Sequence, residues 1–224
     1  MNYKMVKLLI LKDWYLQRWM ILGSLAGAAL ALAITVSAGK AGLFLGITLL
    51  VTVLIGIGAY VAVATNIDER KNQTLAFVMS LPISAREYTG AKVLGNLLIF
   101  LVPWIAVLLG CLTAILTLPA IPHGLVPYVS VMCTEILVST CLVFCVAIMT
   151  ESQGWAIATL IMGNLAFNAF GYFVAHIPSI AAAMDGNKII WNSAALALLL
   201  GELASILLLL RLTFYVQSRK TDFL

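Results

Sequence analysis

A chain of 224 residues that is 63% hydrophobic and only 10% charged is not a soluble globular domain, and its mean hydropathy of +1.08 places it among integral membrane proteins. Long, continuously apolar runs exclude a membrane β-barrel, whose strands alternate apolar and polar residues. The net charge of +4 implies no nucleic-acid partner, because the basic residues follow the pattern of membrane topology.

Residues 1–18, MNYKMVKLLILKDWYLQR, mix Lys and Arg with Leu, Ile, Trp and Tyr directly before the first apolar run. The stretch reads as an amphipathic helix lying in the interface with its basic groups toward lipid phosphates. A helical extension of the first span would have a similar sequence. VSAGKA after that run resembles a signal-peptide cleavage site. The long mixed-charge leader with Asp13 and the length of the run argue instead for a retained span.

Uncharged runs at Trp19–Gly39, Ala41–Ile67, Val93–Thr134 and Ser152–Met184 each exceed the roughly 18–20 residues that a crossing helix needs. Turn signals resolve the chain into six predicted spans at 19–38, 43–65, 93–118, 125–149, 155–177 and 190–212. TLPAIPHGLVP (Thr117–Pro127) divides the third from the fourth, since clustered prolines cannot continue a helix. TESQG (Thr150–Gly154) and PSIAAAMDGNK (Pro178–Lys188) mark the next two breaks. The predicted fold is therefore one all-α transmembrane domain over residues 1–224. Cys111, Cys133, Cys141 and Cys145 all fall in apolar runs without a C-x-x-C spacing, and read as small packing residues rather than disulfides or metal ligands.

The basic residues orient this topology. Lys4, Lys7, Lys12, Arg18, Arg70, Lys71, Arg86, Lys92, Arg211, Arg219 and Lys220 fall on one side, and only Lys40 and Lys188 on the other. Eleven against two predicts that both termini and the segment between spans two and three are cytoplasmic.

That segment, 66–92, is the one long polar island, and it encloses an apolar patch, LAFVMSLP. Asn66 with Glu69, and Ser84 with Glu87, have capping-box spacing. Pro82 disfavours helix at Leu81. Two helical pieces are predicted, one over about 68–80 and one leading into the third span. On the first, Leu75, Val78 and Met79 share a face. Such a face can pack beneath its own bundle or dock in a groove on a soluble partner.

Glu69, Thr74, Leu75, Leu81, Pro82, Ser84, Arg86 and Lys92, in this order and between the second and third spans, resemble the cytoplasmic loop of type-2 ATP-binding-cassette transporter permeases, especially the small six-span bacterial ones. Gln73 departs from the family pattern, in which a small residue is usual. Chain length, span number and the amphipathic N-terminus fit the same resemblance. It implies a coupling helix in which Glu69, Thr74, Leu75, Val78, Met79, Leu81 and Pro82 meet a separate ATPase. It also implies two permease chains, alike or different, over two ATPase subunits in the bacterial cytoplasmic membrane. This chain carries no G-x-x-x-x-G-K-[ST], and SAGKA (Ser37–Ala41) lacks the earlier glycine. Hydrolysis, with its ATP and Mg, is thus expected on the partner, with no cofactor or metal on this chain and no enzyme activity of its own.

Inside the spans, Glu135 and Glu202 are the two acids, at similar predicted depth. If they face each other in low dielectric, both cannot stay charged. They could meet a cationic group on cargo, carry protons in a coupled carrier, or tie helices together. Asn164 and Asn168 lie four apart on a small-residue stripe suited to close helix contact or a wetted cavity. Gly23 and Gly27 form a G-x-x-x-G in the first span, which would let a second helix approach closely. The resemblance puts the dimer contact near the first and fifth spans. Residues 175–191, holding His176, Pro178 and Asp185, are too apolar for an ordinary exposed loop. Relatives of this type carry short re-entrant helices there; a loop resting on headgroups with Trp191 as anchor is the other reading.

The function expected from these features is that of a permease subunit of an exporter, with amphipathic or hydrophobic cargo such as antimicrobial peptides or drugs. A proton- or ion-coupled carrier using Glu135 and Glu202, or a non-transporting immunity or scaffold protein, are the alternatives.

Overall fold

The computed structural model describes residues 3–37, 39–67, 85–119 and 121–219, and every regular element among them is helical. In chain order these are α1 (Tyr3–Ser37), α2 (Gly39–Ala62), a π-helical turn (Val63–Ile67), α3 (Ala85–Thr117), α4 (Leu125–Thr150), α5 (Gln153–Ala175), the short α6 (Pro178–Met184) and α7 (Ser193–Arg219). Six of them are long and apolar enough to cross a membrane. The six predicted spans are all present, with the last beginning at Ser193 rather than 190 and running on to Arg219.

The N-terminal residues differ from the interfacial helix expected for 1–18. They are not set off from the first span, because α1 is one uninterrupted helix of 35 residues, about 52 Å long. The physical reason is a single buried stripe along its whole length. Val6, Leu9, Asp13, Gln17, Ile21, Ser24, Ala28, Ala31 and Thr35 recur every three or four residues. No glycine or proline interrupts the helix before Gly23. The N-terminal half packs on the start of α3, where Val6 and Leu9 meet Ala91 and Tyr88. Lys4, Lys7 and Arg18 are exposed, and so are Trp14, Tyr15 and Trp19, an aromatic group at the level where a membrane–water interface suits it.

Contacts along the helices define their directions. Asp13 meets Lys92 and Leu32 lies beside Gly110, so α1 and α3 run parallel. Val131 clusters with Ala195, Cys145 approaches Leu209 and Gln217 bonds to Ile148, so α4 and α7 run parallel too. Gly58 faces Phe100 while Thr65 bonds to Asn96, so α2 opposes α3. Gly163 faces Ser139 while Gly171 faces Met132, so α5 opposes α4. The result is an up-and-down bundle with the start of α1, the end of α2, the start of α3 and the end of α7 together at one end.

α4 is the centre, packed against α2, α3, α5 and α7. One core joins Leu54, Ile57, Val61, Phe100, Val107, Val143 and Phe144. Phe100, fully buried, meets Phe144 edge-on at 6.2 Å. α1 and α2 form a tight hairpin; a side chain at Gly46 would overlap Thr35 and the Ala31 carbonyl. The break at Thr150–Gly154 is made by Glu151, whose backbone is left-handed (φ 56°) and whose N–H caps the Ala147 carbonyl. α5 and α7 leave broad apolar faces exposed, among them Trp155, Ile161, Leu165, Leu200 and Leu207.

Candidate functional site

The structure brings Glu135 and Glu202 together. From the shared end of the bundle at which α4 and α7 begin, Glu135 lies about 15 Å along its helix and Glu202 about 14 Å along its own, at 1.5 Å per residue. Because the two helices are parallel and in contact, equal depth becomes proximity, and the carboxyls lie within electrostatic range of each other. Their surroundings differ. Glu135 is half-buried. Glu202 is 6% exposed, and neither of its carboxyl oxygens has a hydrogen-bond partner among the described residues.

The Asn pair is separated by its surroundings. Asn164 lines a small cleft between α2, α4 and α5, with Ser139 and Thr140 on the facing wall. Its amide donates to the Leu160 carbonyl of its own helix at 3.1 Å. Asn168 is exposed and donates to the Asn164 carbonyl at 2.8 Å, so it faces away from the chain's own core. The glycine pair divides as well. A side chain at Gly27 would meet Val53 of α2 at 3.3 Å, whereas Gly23 is exposed with nothing near it. Gly27 therefore serves the α1–α2 hairpin, and Gly23 alone faces outward.

Glu69, Thr74, Leu75, Val78, Met79, Leu81 and Pro82 lie outside the described residues. The roots of their segment are described, and each is held by a buried polar tie. On the α2 side, within the π-helical turn, the Thr65 hydroxyl lies 2.7 Å from both the Asn96 side-chain oxygen and the Val61 carbonyl and shares its single proton between them. On the α3 side, the Lys92 ammonium meets the Asp13 carboxylate at 2.9 Å, with both side chains 4% exposed. Lys12 approaches the other Asp13 oxygen at 3.3 Å from a more exposed position. These ties are the functional candidates that sequence reasoning missed. Asp13 stands out as an acid in a basic leader and Asn96 as an amide in an apolar run, but nothing local to either names its partner.

At the opposite end, the residues between α5 and α7 fold back onto the bundle. α6 opens with Pro178 at its first position, where the missing N–H costs nothing. Ile180 packs with Val131, Val174 and Ala195. Gly124 donates to the Gly186 carbonyl at 2.8 Å, and Asn192 joins the Ser179 carbonyl (2.6 Å) to the start of α7 (2.9 Å to the Ala195 N–H). His176 is exposed and stacks at 4.1 Å on Tyr172, Asp185 is exposed, and Trp191 is 41% exposed. The segment is a short helix strapped across the bundle end.

No protein-family model matches this chain, and neither a curated protein nor a solved structure matches it.

Proposed function

We propose that this protein is the transmembrane permease subunit of a type-2 ATP-binding-cassette exporter. One observation carries the reading. The only long polar segment, with LAFVMSLP at its centre, joins α2 to α3 at the bundle end that also holds the basic start of α1 and the basic end of α7. The positive-inside rule makes that end cytoplasmic. A segment placed there is reachable by a soluble ATPase, and its buried roots at Thr65–Asn96 and Asp13–Lys92 supply the stiff attachment that transmission of motion requires. α1 and α5 each pack on α2 and leave apolar faces exposed, and such faces suit a second permease chain. Cargo passes along the membrane domain and undergoes no covalent change.

Co-expression with the ATP-binding-cassette ATPase subunits of the same genome, each in turn, followed by detergent extraction and tandem purification, tests this. A stoichiometric complex is expected, and Val78→Asp with Met79→Asp should abolish it while the permease remains monodisperse. Failure of the unaltered chain to retain any of them would overturn the reading.

The coupled-carrier alternative draws on a separate observation, the convergence of Glu135 and Glu202. Uptake driven by an ion gradient in vesicles without ATP would favour it.

A further inference from the structure

The α4–α7 seam holds a feature that no structural role among the described residues accounts for. Glu202 is more than nine-tenths buried in a span, yet it makes no hydrogen bond there with either oxygen. Structural carboxyls in such positions are bonded to a neighbouring hydroxyl, amide or base, because an unsatisfied buried acid costs several kcal/mol. Hydroxyls do lie nearby in the bundle, but they are turned to their own helices. Ser130, Thr134 and Ser205 all donate to carbonyls on the helix that carries them. The group that Glu202 does sense is a second carboxyl, Glu135, presented from the parallel helix at the same depth. Glu135 is half-buried, so the pair has one closed and one accessible member.

We infer that Glu135 and Glu202 form a binding site for a primary ammonium group, and that the cargo carries such a group on an apolar body. Two carboxyls that share one proton offer three acceptor oxygens and one negative charge, which match the three N–H donors and single positive charge of a primary ammonium. A bare metal ion fits less well. Among the described residues no third Asp, Glu, His or Cys joins the pair, and hard cations take about six or more oxygens. The helical carbonyls around the site are engaged in their own ladders. The apolar body follows from the surroundings: Leu198, Leu199, Ile206 and Leu209 flank Glu202 on α7. Calling the ligand cargo rests on the exporter reading; the binding of the ammonium does not.

The test uses the full chain in nanodiscs of zwitterionic lipid, with empty discs subtracted. Equilibrium binding of octylammonium is compared with octyltrimethylammonium, which keeps the charge and lacks N–H donors, and with octanol, which lacks the charge. Octylammonium should bind at least about tenfold more tightly than either, and Glu135→Gln and Glu202→Gln should each remove that preference. Equal binding of the two cations, or preference retained in both variants, overturns the assignment. Replacing tetramethylammonium chloride by sodium chloride at equal ionic strength supplies a further arm: displacement of octylammonium by sodium that both variants abolish would make this a metal-ion site and overturn it. If Glu202→Gln does not remain monodisperse, Glu135→Gln decides, since Glu135 is half-buried and the amide keeps its shape. Ammonium preference without ATPase capture would sink the exporter reading alone. ATPase capture without ammonium preference would sink only this inference.

Discussion

Removing Asp13 should loosen the packing of α1 against α3 at the end of the bundle where both helices begin. The pair it makes with Lys92 spans 79 residues of sequence at 2.9 Å, with both side chains 4% exposed. Water therefore does little to compensate either charge once the other is gone. Taking one partner from a buried pair typically costs about 3–5 kcal/mol, on the order of a hundred- to a few-thousand-fold in the folded-to-unfolded ratio. Asp13→Leu removes the carboxylate that the buried Lys92 ammonium meets at 2.9 Å and should cost an amount in that range. Lys92→Met should cost less, about 2–3 kcal/mol, because Asp13 keeps Lys12 at 3.3 Å. Asp13→Leu combined with Lys92→Met replaces charge by apolar volume and should return to within about 1–2 kcal/mol of the parent, giving a coupling of about 5 kcal/mol. Reversible unfolding by SDS in mixed micelles measures all members of the cycle. Additive losses, with the double variant as unstable as the sum of its singles, would refute the argument that an uncompensated buried charge is the cost.

Phe100→Ala empties a fully buried position beside Phe144 and should cost about 3–5 kcal/mol in the same unfolding measurement, whereas alanine at the exposed Leu207 should cost little. Gly124→Val would drive a side chain into the Ala183 carbonyl and break the 2.8 Å bond to Gly186, so hydrogen exchange should rise across 178–192 while α1–α3 stay protected. Trp104→Phe loses the 2.7 Å bond from the indole N–H to the Cys133 carbonyl and should cost about 1 kcal/mol. For orientation, Asn187→Cys should react with an impermeant maleimide on intact cells and Thr221→Cys only after permeabilisation. The reverse pattern would overturn the assigned sidedness.

The divide between sequence and tertiary structure is clear at particular residues. Span number and positions were legible because each crossing needs its own run of about twenty apolar residues, a constraint local to the segment. The breaks were legible for the same local reason, from Pro and Gly clusters and from TESQG, where Glu151 takes the left-handed turn. Glu135 and Glu202 could be singled out as costly intramembrane acids, and their matching depth could be counted. Their proximity could not, since it requires that α4 and α7 be neighbours, which depends on packing across the whole bundle. Asp13–Lys92 and Thr65–Asn96 lay beyond sequence reasoning because each joins residues of separate helices with no spacing rule between them.

The N-terminal half of α1 shows the same limit from the other side. Amphipathic composition describes a helix that needs a polar and an apolar boundary, and a membrane surface and a neighbouring helix both provide one. Only the presence of Ala91 and Tyr88 beside Val6 and Leu9 decides between them. By itself the sequence determined a six-span membrane bundle, its charge asymmetry and its isolated polar segment, all consequences of transfer energies that act residue by residue. The tertiary structure alone decided which helices touch, that Gly27 turns inward while Gly23 faces out, and that two distant carboxyls share one seam, because those outcomes follow from shape matching between surfaces far apart in the chain.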